Sequence, residues 1–145
     1  MKDNNYFMRK AEERAKKSTC CSRSVGAVLV KDNKIIVSGY NGVPTKITHP
    51  TVCIRNKLNI PSGTRLELSD CVHAEVNCIL QCAKYGICCM GTILFSTVKP
   101  CADCTKMILN SGILGVFYRE DYQMSSEFNF INEMVKESGV FFQKI

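Results

Sequence analysis

Two histidines stand beside ten cysteines in this 145-residue chain, and one of them opens the run His73-Ala74-Glu75. Further along comes Pro100-Cys101-Ala102-Asp103-Cys104. Cys101 and Cys104, separated by two residues at the start of a predicted helix, can turn both sulfurs toward one point. Helix N–H groups favour the thiolate there and lower the thiol pKa. Taken alone, such a pair suits a metal, a redox couple or nothing. His73, also at a predicted helix start, adds a third donor that a redox couple does not need. Three protein ligands leave the fourth tetrahedral position for water, the pattern of a catalytic zinc; structural sites close with four. Glu75, two residues from His73, can reach that water without being a ligand. It can take the water's proton and pass it to a leaving nitrogen. By itself it would read as a first-turn carboxylate favoured by the helix dipole.

The surrounding pattern must bring these residues together. Residues 3–17 read as a helix with Phe7, Ala11, Arg14 and Ala15 on one side. "VGAVLV" (25–30) and "KIIVSGY" (34–40), joined by a turn at Asp32, Asn33 and Lys34, read as a hairpin. From Asn41 to Cys71 there is no clear period, and Gly42, Pro44, Pro50, Pro61 and Gly63 fall in this stretch. So long a loop in a compact domain is usually functional. Val76, Ile79, Leu80 and Ala83 then mark a helix with one buried stripe ending near Gly86. "TILFST" (92–97) is of strand length, and Pro100 suits the first position of the next helix. That helix carries Met107, Ile108 and Leu109 and stops near Gly112. "GVFYRE" (115–120) is another strand. Ser125 or Ser126 caps a helix bearing Phe128, Ile131 and Val135, closed by Gly139, and "VFFQKI" is a last strand. Strand–helix–strand alternation in the second half argues parallel strands with right-handed crossovers. The expected fold is α/β: a three-layer α/β/α sandwich around a central mixed five-stranded sheet.

Residues 1–145 suffice for one domain, and 46% hydrophobic content allows a real core. No apolar run approaches the roughly 20 residues needed to span a bilayer. The charged N-terminus has no signal-peptide core, so a soluble, cytoplasmic protein is expected. Ten cysteines could suggest a secreted disulfide scaffold, but such scaffolds are usually shorter. Cys78, Cys82, Cys88 and Cys89 fall in or just after an apolar helix, where free cysteine packs as a small hydrophobe. A net charge of +6 suits ordinary solubility or an anionic partner such as a nucleotide.

His-x-Glu followed by Pro-Cys-x-x-Cys resembles the signature of the zinc-dependent nucleobase deaminases, and the order of elements is similar to the whole cytidine deaminase-like fold. The resemblance implies hydrolysis: water activated at zinc attacks C4 of a cytosine ring, Glu75 moves protons, and ammonia leaves. "SVGAVLV", "SGYNGVP" (38–44), "IPSGTRLEL" (60–68), "VHAEVNCIL" and "REDYQ" (119–123) look like the deoxycytidylate deaminase branch. Resemblance to that branch implies dCMP as substrate, yielding dUMP for thymidylate synthesis, with Asn41 on the sugar hydroxyl and Tyr122 close to the nucleotide. Ala74 and backbone near Thr97 and Pro100 would hold the base. Arg23 suits a phosphate clamp, because a guanidinium grips phosphate through two bonds; otherwise it is a solvated loop arginine.

The resemblance also implies a homohexamer activated by dCTP and inhibited by dTTP, with Mg2+ accompanying the triphosphate. Gly42 and Arg65 are the candidates for an effector pocket. Some relatives bind a second, structural zinc, for which Cys20 or Cys21, His49, Cys53 and Cys71 offer ligands; the alternative is free thiols and a surface histidine. A dCTP deaminase, or one acting on both nucleotides, fits the same motifs. A tRNA or polynucleotide deaminase shares the zinc site, but it needs a basic or aromatic surface for flanking nucleotides. This chain has no Trp and no dense basic cluster beyond its N-terminal helix, so no nucleic acid and no membrane partner is expected. A non-catalytic zinc module would close its site with four ligands and leave Glu75 without a role.

Overall fold

The computed structural model describes residues 1–121 and 129–145. Helix α1 (Asn4–Ala15) starts where the Asp3 carboxylate accepts the Tyr6 N–H at 2.7 Å, a side-chain cap. Strands β1 (Gly26–Lys31) and β2 (Lys34–Tyr40) form the expected antiparallel hairpin. Asp32 and Asn33 both take positive φ, 48° and 60°, and a two-residue turn of that hand follows the twist of the strands. After the long loop come α3 (Ala74–Tyr85), β3 (Ile93–Val98), α4 (Ala102–Asn110), β4 (Gly115–Glu120), α5 (Asn129–Ser138) and β5 (Phe141–Lys144). The loop itself holds one short helix, α2 (Ile54–Lys57), and a 3-10 turn at Leu66–Leu68.

The five strands lie in the order β2-β1-β3-β4-β5. β1 is antiparallel to both neighbours, whereas β3, β4 and β5 run parallel through the α4 and α5 crossovers. Alternation along the strands divides the core. Val28, Val30 and Phe95 face α1 and pack with Phe7, Met8 and Ala11. Ala27, Leu29 and Leu94 point the other way, into a second cluster with Cys78, Cys82 and Ile108 of α3 and α4. This is the expected mixed five-stranded sheet between helical layers.

Three local expectations need correction. The buried stripe of α3 consists of Ala74, Glu75, Cys78 and Cys82, while Leu80 is 51% exposed and Ala83 lies outside. The reason is a close crossing at Gly39: a Cβ there would stand 2.8 Å from the Ala74 carbonyl and 3.0 Å from Cys78 Sγ. That contact sets the rotation of the helix, and the small thiol side chains fit the gap. Second, Pro100 does not open α4; it precedes the extended N-cap Cys101, and the helix begins at Ala102. Third, the long loop is not structureless. For the last helix, Ser125, Ser126 and Phe128 lie outside the described residues; Ile131 is buried and Gly139 closes the helix at φ 75°.

Gly26 shows how tightly α1 sits on the sheet. A Cβ at this position would fall 2.0 Å from the Ala11 carbonyl oxygen and 2.3 Å from the Ala15 nitrogen. Both are backbone atoms, so no side-chain rotation relieves the clash. Gly26→Ala is expected to cost about 3 kcal/mol, as overpacking does when backbone must shift. A lowered urea midpoint at unchanged slope would register it; an unchanged midpoint would contradict the packing.

Candidate active site

Helices α3 and α4 begin close together, and their N-caps are His73 and Cys101. Both residues hold extended backbone angles, and neither side chain caps its own helix. The imidazole and the thiol are thus free to turn toward each other. His73 Nδ1 lies 3.4 Å from Cys101 Sγ and 3.3 Å from Cys104 Sγ, and the three donor atoms all fall within 4.8 Å of one another. Cys104, in the first turn of α4, is 1% exposed.

Charge within the trio is shared unequally. The hydrogen bond from Cys104 and the neighbouring His73 bring the Cys101 thiol down to about 4. Cys104, which donates to that thiolate and is buried, is pushed well above the usual thiol range. The Cys101 thiolate in turn raises His73 to about 9. Glu75 is 4% exposed, and burial raises its carboxyl to about 7 although the His73 charge pulls the other way. The Ser96 hydroxyl donates to Glu75 Oε1 at 3.5 Å, and Cys104 Sγ stands 3.9 Å from Oε2.

This donor set fits zinc. An imidazole nitrogen and two sulfurs bound tetrahedrally at ordinary zinc distances sit about 3.3–3.8 Å apart, and the two nitrogen–sulfur separations match that spacing. Uptake must expel protons, since ligands bind deprotonated. Near neutral pH Cys101 is already a thiolate, whereas His73 and Cys104 each give up one. Acid therefore competes with the metal, and affinity should fall about 100-fold per pH unit on descending from about pH 8 to about pH 5. Competition against a chromophoric chelator at several pH values checks this; a flat profile would contradict the proton inventory.

One cavity opens over the centre. His73, Ala74, Glu75 and Cys101 line it, with Val98 and Lys99 from the end of β3. Asn41 and Arg23 stand in its wall. Asn41 is braced: its Oδ1 accepts from Ser18 Oγ at 2.6 Å and the Val25 N–H at 2.8 Å, and its Nδ2 donates to the Arg23 carbonyl at 2.6 Å. Arg23 is 43% exposed and ion-paired with Glu120. Thr97 accepts the Gly26 N–H through its hydroxyl and Pro100 is fully buried; neither lines the cavity, whereas Val98 and Lys99 between them do. Tyr122 lies outside the described residues.

Gly42 pairs with Val72 in a short antiparallel bridge and lines a separate depression with Pro44, Lys84 and Tyr85, whereas Arg65 pairs with Glu67 at the surface. Cys20, Cys21 and Cys53 all lie close enough to act on Cys71, but among the described residues only His73, Cys101 and Cys104 form a metal-sized group. Cys20 and Cys71 do line the main cavity, and burial together with the Cys20 thiol pushes Cys71 up to about 12. Cys21 and His49 both reach the Pro50 carbonyl at 3.4 Å, and Cys53 is buried. All ten cysteines are free thiols. Sequence reasoning missed Arg55 and Lys99 in the cavity wall; neither belongs to a motif or a period.

An α/β/α sandwich with a three-ligand metal centre and a buried carboxyl beside it defines a zinc-dependent hydrolytic site. Residues 1–120 match the family model described as the cytidine and deoxycytidylate deaminase zinc-binding region. The chain is 34% identical to ComE operon protein 2 of Bacillus subtilis, over 98% of this chain and 70% of that protein. It is 36% identical to the deoxycytidylate deaminase of Schizosaccharomyces pombe over 84% of its own length, but it spans only 38% of the yeast enzyme. The crystal structure of dCMP deaminase from the cyanophage S-TIM5, in complex with dCMP and dUMP, superposes with a TM-score of 0.77 at 30% identity, covering 100% of this chain and 99% of that one. The chain belongs to the cytidine and deoxycytidylate deaminase family, and its site is that of a zinc-dependent deaminase. Among the described residues, no helix is long and apolar enough to cross a membrane.

Proposed function

We propose that this chain converts dCMP and water to dUMP and ammonia, supplying dUMP for thymidylate synthesis. The observation that carries this is Glu75: a buried carboxyl raised to about 7, beside three convergent zinc ligands, in the wall of the cavity that opens over them. The cyanophage enzyme, alike over its full length, holds dCMP and dUMP.

His73, Cys101 and Cys104 would hold the zinc, whose Lewis acidity lets water act as a nucleophile near neutral pH. Glu75 as carboxylate accepts a proton from the attacking water. As carboxylic acid it returns the proton to the pyrimidine, and the amino group at C4 departs as ammonia. A group with a pKa near the working pH moves a proton in either direction at small cost. Ala74 and the backbone at Thr97–Pro100 hold the base, Asn41 the sugar, and Arg23 and Tyr122 the nucleotide's outer part. Residues 1–145 act as one domain of a cytoplasmic homohexamer, activated by dCTP and inhibited by dTTP with Mg2+, with Gly42 and Arg65 serving the effector.

Incubation with dCMP, dCTP, deoxycytidine and a cytosine-containing oligonucleotide, followed by loss of cytosine absorbance, tests the substrate. Turnover of dCMP is expected. Preference for dCTP would move the assignment to a triphosphate enzyme, and preference for the oligonucleotide to a polynucleotide deaminase. Failure of every mononucleotide, with or without dCTP and Mg2+, would refute the proposal. A second, structural zinc on Cys20, His49, Cys53 and Cys71 predicts two zinc ions per chain, falling to one in Cys53→Ser; one in the unaltered chain excludes it.

A further inference from the structure

One cation in the cavity has no use in this mechanism. Arg55, in α2, is only 8% exposed and lines the same cavity as His73 and Glu75. Its Nη2 donates to the Pro61 carbonyl at 2.9 Å, but its Nε–H has no acceptor among the described residues. Arginine stays charged at any physiological pH. A buried charge without a carboxylate is costly unless something else neutralises it. Of the other arginine and lysine side chains described in its lining, Arg23 pairs with Glu120, and Lys99 lies over the Tyr118 ring at 5.8 Å. Glu67, whose charge Arg55 influences, is exposed and bonded to Arg65. The carbonyl that fixes Arg55 belongs to the turn whose next residues, Ser62 and Gly63, also line the cavity. A fixed guanidinium with a spare N–H, a neighbouring hydroxyl and a glycine backbone suits a phosphate oxyanion.

We propose that Arg55, held against the Pro61–Gly63 turn, binds the 5′-phosphate of the substrate and sets the preference for nucleotide over nucleoside. This rests on the deaminase assignment above. Arg55 is a binding residue and touches none of the reacting atoms. Its removal should weaken capture of the nucleotide and leave the chemical step itself intact.

The test compares the unaltered enzyme, Arg55→Gln and Arg55→Lys on dCMP and deoxycytidine. In Arg55→Gln the ratio of kcat/KM for dCMP to that for deoxycytidine should fall about 10- to 100-fold, mainly through KM. Arg55→Lys should keep part of the ratio, since an ammonium preserves the charge but not the fork. An Arg55 satisfied by water, or one that only braces the loop, would lower both substrates alike and leave the ratio unchanged; that result overturns the proposal. A parallel titration with dUMP and deoxyuridine reads binding without turnover. The unaltered protein should bind dUMP more tightly, and Arg55→Gln should close that gap by the same factor. If neither dCMP nor deoxycytidine is deaminated, the deaminase assignment fails and the titration alone decides on Arg55. A gap that is absent in the unaltered protein, or that persists in Arg55→Gln, overturns the phosphate site.

Discussion

Glu75→Gln should abolish deamination while leaving the metal centre filled, with kcat down about 10³- to 10⁴-fold. The amide is nearly isosteric with the carboxyl it replaces, so the first turn of α3 keeps its packing. Its oxygen can still accept the Ser96 hydroxyl, the contact that Glu75 makes through Oε1. What is lost is the ability to hold a proton and give it back. Burial that raises the acid to about 7 makes this group able to carry a proton both ways, and glutamine carries none. Zinc content by mass spectrometry should stay near that of the unaltered chain, and thermal stability should not fall, because a buried carboxyl is replaced by a neutral group. Loss of zinc together with activity would make Glu75 a ligand. Retained activity would remove it from the mechanism.

Cys104→Ser should give the complementary result, with metal and activity lost together. Cys104 is the most deeply buried of the three donors, and a serine hydroxyl does not ionise to replace a thiolate. Two remaining ligands hold zinc poorly. Content should drop from about one zinc per chain to a small fraction, and turnover to background. The unaltered protein should also gain thermal stability as zinc is added, because a ligand that binds only the folded state stabilises it; the variant should not. Together the two variants separate holding the metal from moving the proton. A Cys104→Ser protein that keeps its zinc would show that the trio is not the metal site.

How much of this was legible in the sequence differs from residue to residue. The spacing of Cys101 and Cys104 is nearly a local property, since two residues at the start of a helix place both sulfurs on one side. The hairpin at Asp32–Asn33 and the strand–helix alternation after it were readable for the same reason. The rotation of α3 was not. Leu80 and Ala83 continue the apolar helical spacing, yet the close crossing at Gly39 decided that Cys78 and Cys82 go inside and these two stay out. The second zinc set was equally out of reach: Cys20, His49, Cys53 and Cys71 are suitable donors, but nothing in the order of residues states whether a long loop gathers them.

By itself, then, the sequence determined which donors exist, the helix starts that carry them and the reaction they suit, because these depend on short-range geometry and residue chemistry. Only the tertiary structure decided that His73 meets the cysteine pair, that Glu75 is buried deeply enough to be raised to about 7, and that Arg55 is sealed into the same cavity with an N–H that finds no acceptor among the described residues. Each of those facts depends on which surfaces exclude water, and exclusion of water is set by contacts between segments far apart in the chain.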